Sequence, residues 1–312
     1  MTASTAEDRR EADRSGPWLL AGITLFWGLN FVTIKYSVEE VPIWTFRTIC
    51  LLTGGFGLLG IAKAVGFSLR VPRAEWRPLV IAAIGNITGW HIFSAWGLQY
   101  VPASRGTILA YTMPLFAAVI SVLWLRQKMT GLIVTALFSG VIALAILLVP
   151  IWDEIVSHPF GPLLMLLAAA FWGFGTVALK RYRFTIPTTV LAGWQMLVGG
   201  IPVFIGWALI DRNFDPSPVS HVAWIAVAYS AIIPMIFCHW AWFRIVAIYP
   251  AAVAAIGTLA IPVVSVIAAA LLKNEPIGLS EILSLGLVLM SLALVLVVPA
   301  LRNRAAPLPE PE

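Results

Sequence analysis

Residues 26–35 read FWGLNFVTIK, and residues 171–180 read FWGFGTVALK. Each stretch places Phe-Trp-Gly inside a long apolar run, and a Lys closes that run seven residues after the Gly. The two copies start 145 residues apart, close to half of the 312-residue chain. A repeat on this scale predicts two halves built on one design.

The composition is typical of a protein that is dissolved in lipid. Hydrophobic residues make up 60% of the chain and charged residues 11%, and the mean hydropathy is +0.91. A soluble domain needs a more polar exterior than this, whereas a helix of about 20 apolar residues spans a bilayer. The net charge of +5 does not indicate a nucleic-acid partner, because most basic residues lie in short links between apolar runs. The sequence therefore predicts a polytopic membrane protein surrounded by the lipid bilayer.

Ten apolar runs are long enough to be spans. They cover approximately residues 18–36, 43–64, 78–99, 103–125, 131–150, 162–179, 188–210, 222–243, 250–272 and 279–298. We assign the first five to a repeat over residues 17–150 and the last five to a repeat over residues 151–300. Residues 1–16 are polar and mixed in charge, which predicts a disordered cytoplasmic tail. Residues 301–312 form a second, Pro-rich cytoplasmic tail.

The basic residues predict the orientation. If both termini are cytoplasmic, 15 of the 20 Lys and Arg residues fall on cytoplasmic segments and four on the opposite links. Since five spans per half is an odd number, the second half must then enter the membrane the opposite way round.

Beyond the opening copies, the halves align at an offset of 148 residues. The matched landmarks are Trp76 and Trp224, His91 and His239, Pro102 and Pro250, and Pro114 and Pro262. The predicted fold is an all-α integral membrane protein of ten transmembrane helices, arranged as two inverted five-helix repeats around a central cavity. Inverted repeats are typical of alternating-access transporters, whose substrate site lies near the midplane where the repeats meet.

The Phe-Trp-Gly stretches with their trailing Lys, the five-plus-five repeat, and the segments 102–114 and 250–262 resemble the EamA-type branch of the drug/metabolite transporter superfamily. The resemblance covers residues 18–298, and within that superfamily it is nearest to the YddG-type aromatic amino-acid exporters. It implies ten helices, cytoplasmic termini, a central cavity, a place in the cell inner membrane, and export of aromatic amino acids or related small metabolites. A broad-specificity drug or metabolite exporter or facilitator is the alternative.

Arg47 lies within the second predicted span, where a charge costs about 2.5–3.5 kcal/mol on insertion scales. It can hold a substrate carboxylate through a bidentate pair, or it can extend to the membrane surface and pair with Glu39 or Glu40. Both interpretations stay open. At the repeat offset its counterpart is Gln195, so we expect an asymmetric substrate site.

Three further polar residues are candidates for substrate binding. His91 and His239 occupy equivalent positions, and each can bind substrate, move a proton, or simply pack between helices. Asn30 can hydrogen-bond substrate or join two helices. For Asn86, in the third span, packing is the favoured role.

The aromatic candidates are Trp27, Trp90, Tyr111, Trp172 and Trp194. They lie deeper in the spans than the tryptophans near span ends, which are Trp18, Trp44, Trp76, Trp124, Trp152 and Trp224. An aromatic substrate can stack on such rings, and core packing is the competing role. Trp27 and Trp172 are the strongest candidates because they lie in mid-span at repeat-related positions.

Pro114 and Pro262 are expected to kink spans 4 and 9, since each removes a helical hydrogen bond. Together with Gly54 and Gly55 we interpret them as hinges, with static kinks and close helix packing as the alternative.

Several functions are not supported by the sequence. It contains no HExxH or GxSxG pattern, so an enzyme is not expected. His91 and His239 alone are too few ligands for a metal site, and no cofactor is expected. No Asp or Glu lies well inside a span, which leaves proton coupling to the histidines or to none. We expect a monomer whose partners are a small-molecule substrate and the bilayer.

Overall fold

The computed structural model describes residues 4–126, 130–148, 159–182, 184–242 and 260–294. Within these ranges the chain is helical, with no strand. Ten helical segments lie where the sequence predicts spans. In chain order they are α1 (Ser4–Glu40), α2 (Ile43–Ala64), α3 (Arg73–Tyr100), α4 (Ala103–Leu125), α5 (Gly131–Leu148), α6 (Phe160–Arg181), α7 (Thr188–Asp211), α8 (His221–Trp242), α9 (Ile261–Lys273) and α10 (Leu279–Leu292).

Seven of these segments are long and apolar enough to cross a membrane: α1, α2, α3, α4, α6, α7 and α8. The prediction of an all-helical, multi-pass membrane protein is therefore confirmed for the described residues. The other three, α5, α9 and α10, are apolar but shorter, and each borders residues outside the described ranges. Ten crossings remain a prediction, and the C-terminal tail at 301–312 lies outside the described residues.

The N-terminal segment differs from its prediction. Residues 4–16 continue helix α1 rather than forming a disordered tail. Their sequence is rich in Ala, Glu and Arg, which are strong helix formers, and no proline precedes Pro17. A polar composition alone therefore did not exclude helix here.

Four of the described spans are interrupted, and one of them is α7, which breaks at Gly200 and has a π-helical turn at Trp207–Asp211. Helix α3 contains a π-helical turn at Ile84–Gly89, and α8 contains one at Ile233–Cys238. Helix α4 breaks at Tyr111 and Thr112, between the segments Ala103–Ala110 and Met113–Leu125. The π-helical turns, which often mark functional sites, carry no signal that a hydropathy pattern detects.

The two prolines that were predicted to kink spans 4 and 9 each lie in the first turn of a helical segment. Pro114 occupies the second position of the segment that follows the break in α4, and Pro262 occupies the second position of α9. A proline fits the first turn of a helix because the missing N–H has no intrahelical partner there. The kink expected in span 4 agrees with the break just before Pro114, whereas residues 243–259 lie outside the described ranges, so the kink at Pro262 stays a prediction.

The glycine of each Phe-Trp-Gly stretch permits a close crossing with a helix of the other half. A Cβ atom on Gly28 of α1 would lie 2.6 Å from Val264 Cγ1 on α9. A Cβ atom on Gly173 of α6 would lie 3.0 Å from Phe116 Cβ on α4. Phe116 and Val264 are themselves 148 residues apart, so the same contact occurs twice.

Corresponding helices of the two halves pack against each other in antiparallel pairs. Helix α2 meets α7 where Gly55 faces Gly193, and α5 meets α10 through hydrogen bonds from Ser139 to the Leu287 carbonyl and from Ser284 to the Ala143 carbonyl. Helix α1 packs on α8 and α9, while its counterpart α6 packs on α3 and α4. Gly54 and Gly55 lie within the continuous helix α2, as close helix packing requires.

Candidate functional site

Arg47 is buried in the protein interior, with 1% of its surface exposed. Its Nε donates to the His91 carbonyl at 2.8 Å, and its Nη2 donates to Ser94 Oγ at 2.9 Å. Both acceptors belong to α3, so the guanidinium joins α2 to α3. We call Arg47, His91 and Ser94 the Arg47 site.

The interpretation in which Arg47 extends to the membrane surface and pairs with Glu39 or Glu40 is wrong. Glu39 pairs with Lys273 at 2.5 Å, and Glu40 accepts hydrogen bonds from Ser220. Arg47 lies more than one turn into α2 and faces α3, which directs its side chain away from the membrane surface.

No carboxylate compensates the charge of Arg47 among the described residues. The ion pairs found there are Lys273–Glu39 and Arg105–Glu281, and both lie at helix ends. A buried charge is stable only when it is paired or well hydrogen-bonded. The Arg47 site therefore provides a positive potential for an anionic group.

The two candidate histidines are equivalent in sequence but differ in environment. The side chain of His91 is buried, and its Nδ1 has no hydrogen-bond partner among the described residues. The Nδ1 of His239 lies 2.7 Å from the Pro234 carbonyl, and its ring meets Trp27 edge to face at 5.7 Å. Of the two Nδ1 atoms, that of His91 is therefore the one with an unsatisfied hydrogen-bonding capacity among the described residues.

Three aromatic candidates, Trp27, Trp90 and Tyr111, lie in or against the main apolar core, which also contains Phe46 and Cys50; the fourth, Trp172, contacts Trp90. They form ring contacts across helices that belong to different halves or different spans. Trp90 of α3 meets Trp172 of α6 at 5.0 Å between ring centroids, and Phe31 of α1 meets Tyr111 of α4 at 6.2 Å. Trp27 of α1 also lies 6.2 Å from Trp242 of α8.

Trp194 is separated from this group. Its indole N–H donates to the Leu69 carbonyl at 2.9 Å, and its ring packs on Trp76. Leu69 lies in the link between α2 and α3, so Trp194 belongs to the end of the helix bundle. Trp194 was predicted to lie deep in span 7, and this prediction is wrong. The first turns of α7 pack against the link between α2 and α3, so the indole lies near the end of the bundle.

The polar candidates Gln195 and Asn30 make different contacts. Gln195 is buried and accepts a hydrogen bond from Asn86 at 3.4 Å, while Asn86 Oδ1 has no partner among the described residues. Asn30 accepts from Thr33, whose hydroxyl also lies 3.0 Å from Ser230 Oγ. Among the described residues no hydrogen bond joins Gln195 or Asn30 to the Arg47 site, and Arg47 and Gln195 have different hydrogen-bond partners.

Ser94 is a site residue that sequence reasoning missed. It lies three residues after His91 on α3 and so shares a helix face with it. The three-residue spacing from His91 could therefore have identified Ser94 as a site residue from the sequence.

A second polar group joins the helix ends that are predicted to lie outside the cell. Besides the pairs Lys273–Glu39 and Arg105–Glu281, the Glu275 carboxylate accepts from the backbone N–H groups of Ala103 at 2.7 Å and Ser104 at 2.9 Å. These contacts tie α1, α4, α9 and α10 together. We call these seven residues the polar clamp.

Two further carboxylates at these helix ends accept backbone N–H groups of neighbouring helices. Asp211 accepts from Thr45 at the start of α2, and Glu40 accepts from Ser220 just before α8. In the exposed link between α7 and α8, hydrogen bonds from the side chain and then the backbone of Ser217 lower the pKa of Asp215. In the part of the chain that the structure describes, no three His, Cys, Asp or Glu residues form a group able to hold a metal.

Comparison with known proteins gives one consistent answer. The profile of the EamA-like transporter family matches residues 14–149 and again residues 159–297. YvbV of Bacillus subtilis, described as an uncharacterized transporter, is 27% identical over 89% of this chain and 90% of its own length. YedA of Escherichia coli K12, described as an uncharacterized inner membrane transporter, is 25% identical over 88% of this chain and 89% of its own length.

A solved crystal structure has the same fold. It superimposes on 94% of this chain and 99% of its own chain with a TM-score of 0.62 and 20% identity. The resemblance to the EamA-type family drawn from the Phe-Trp-Gly stretches is confirmed, while the nearer resemblance to YddG-type exporters stays a prediction.

Proposed function

Because the chain belongs to the EamA-like transporter family, and so is a membrane transporter, we propose that it exports aromatic amino acids and related small metabolites across the cell inner membrane by alternating access. The observation that carries this proposal is the buried guanidinium of Arg47, which has no carboxylate partner among the described residues, in a helix bundle whose apolar core has Trp27 and Trp90 packed against it. A carboxylate pairs with the guanidinium, and an aromatic ring packs on the indoles.

Alternating access is supported by the packing of the two halves. Antiparallel pairing of α2 with α7 and of α5 with α10 is what two inverted copies of one module produce. Two inverted modules can exchange conformations, which opens the site to each side in turn. In the proposed cycle the polar clamp closes the outer side and must break before substrate is released, with Pro114, Pro262 and the break in α4 as the hinges.

A facilitator of broad specificity is the second candidate. It is favoured by the position of the described acidic side chains, which all lie at helix ends or in links. A carboxylate proton relay of the kind found in many antiporters therefore has no place in the described spans.

Cells that express the protein should survive toxic tryptophan and phenylalanine analogues at concentrations that stop control cells. Trp172→Ala should lower that resistance, since it removes the ring that meets Trp90. Trp18→Ala is the matched control, because Trp18 is 80% exposed at the start of the first span and should leave resistance unchanged. Growth is measured over a concentration series, with membrane abundance checked for each variant. Unchanged sensitivity despite normal abundance would contradict the aromatic substrate class.

A further inference from the structure

Resting on the proposed function, we infer that the preferred substrate carries a carboxylate and lacks the α-ammonium group. Aromatic acids in their anionic form are then exported in preference to the zwitterionic amino acids from which they are derived.

The carboxylates of the described residues are all engaged elsewhere. Seven Asp and Glu side chains are described between residues 18 and 294, and each accepts a hydrogen bond or an ion pair. Their partners are Lys273 for Glu39, Ser220 for Glu40, Thr185 for Glu75, Thr45 for Asp211, Ser217 for Asp215, Ala103 and Ser104 for Glu275, and Arg105 for Glu281.

Among the described residues, the positive charge of the Arg47 site is therefore not balanced by a carboxylate. Arg47 brings a full positive charge into the interior and has no acidic neighbour within ion-pair distance among the described residues. A guanidinium has five N–H donors, and His91 and Ser94 accept two hydrogen bonds from it. Donors remain for a carboxylate, whereas an ammonium group beside Arg47 would be repelled and would have no anion to meet.

The aromatic rings near the site are poorly placed to bind an ammonium group instead of a carboxylate. A cation binds over the face of a ring. The rings near the site already meet edge to face, Trp90 with Trp172 and Trp27 with His239. One face of a ring in each pair is thus covered by its neighbour, which weakens the cation–π alternative.

An anionic substrate also accounts for export without a proton relay. The interior of a cell is electrically negative, so an anion that crosses alone moves outward with the field. The histidines then serve as hydrogen-bonding groups, and His91 Nδ1, which lacks a partner among the described residues, is placed next to the residue that binds the anion.

Four compounds that share one phenyl group separate these contributions. Phenylalanine has both charges, 3-phenylpropionate lacks the ammonium, phenethylamine lacks the carboxylate, and 3-phenylpropionamide is neutral. The full-length protein in detergent is titrated with each, and half-saturation is read from the ligand-induced shift in thermal unfolding. We expect 3-phenylpropionate to bind at least about tenfold more tightly than phenylalanine, a difference of about 1.4 kcal/mol, and phenethylamine to produce no shift.

The other outcomes are distinct. If phenylalanine binds as tightly as 3-phenylpropionate, the preference for the anion is wrong while the proposed function stands. If phenethylamine binds best, the ring faces hold the ammonium and the inference is overturned. If none of the four compounds shifts the transition, the aromatic substrate class fails together with the inference.

Discussion

Replacing Arg47 by methionine should strongly reduce transport of aromatic carboxylates while leaving the thermal stability of the protein unchanged or higher. Methionine matches the length of the side chain and is compatible with the bilayer interior, where an Arg at the centre of a helix costs about 2.5–3.5 kcal/mol on insertion scales. The transport loss follows from removing a charge-assisted hydrogen bond to the substrate, which contributes about 1.5–3 kcal/mol. At low substrate concentration, transport should therefore fall by about 10- to 150-fold.

The stability half of this prediction depends on what the mutation leaves behind. Without Arg47, the His91 carbonyl can still accept a backbone hydrogen bond within helix α3. The Ser94 hydroxyl can donate to a backbone carbonyl one turn earlier in the same helix. Neither group is stranded when the guanidinium is removed. Replacing a buried charged group with an apolar one is often neutral or stabilising for this reason.

The measurements are uptake into proteoliposomes and thermal unfolding in detergent, compared with Arg77→Met. Arg77 is exposed near the start of α3, and its replacement should retain transport. If the Arg47→Met variant has an unfolding temperature several degrees lower than the wild type yet transports at the wild-type rate, Arg47 is a structural residue.

Joining positions 39 and 273 covalently should reduce transport to the level of empty liposomes. The Lys273 ammonium lies 2.5 Å from the Glu39 carboxylate, and Tyr36 on the same turn of α1 donates to the Leu272 carbonyl. This is the contact that holds α1 against α9 at the outer side. If access alternates, these helix ends must separate in every cycle, so a bridge between them stops turnover completely.

The experiment places cysteines at both positions and joins them with a short bifunctional reagent that contains a cleavable disulfide. Cleavage by a reductant should restore transport, and each single cysteine variant treated with the reagent should remain active. Full transport by quantitatively bridged protein would mean that the substrate path does not open between α1 and α9.

The positions of the helices were predictable from the sequence, whereas most of the contacts between them were not. The repeated Phe-Trp-Gly predicted two related halves, and the roles of Gly28 and Gly173 at equivalent crossings agree with that. The polar clamp was not foreseen, because Glu39 and Lys273 are 234 residues apart. Hydropathy identifies which helix ends lie on one side of a membrane but not which of them touch.

Side-chain direction limited the prediction of the site. Arg47 was identified as a costly residue, but the choice between the surface and the interior depends on which face of α2 it occupies. Trp194 was misjudged for the same reason, since depth along a helix does not show that its indole turns back to Leu69. Pro114 was recognised as a point of interruption, but hydropathy does not show where one helical segment ends and the next begins.

The central claim is that one five-helix module is used twice in opposite orientations. Single cysteines at Thr130 and Arg181, and at Arg212 and Ile277, test it in a chain from which Cys50 and Cys238 have been removed. All four positions are exposed in links or at helix ends. A membrane-impermeant maleimide should label positions 212 and 277 in intact cells, and positions 130 and 181 only after the membrane is permeabilised. Labelling of 130 and 181 from opposite sides would contradict the inverted repeat and the transport cycle built on it.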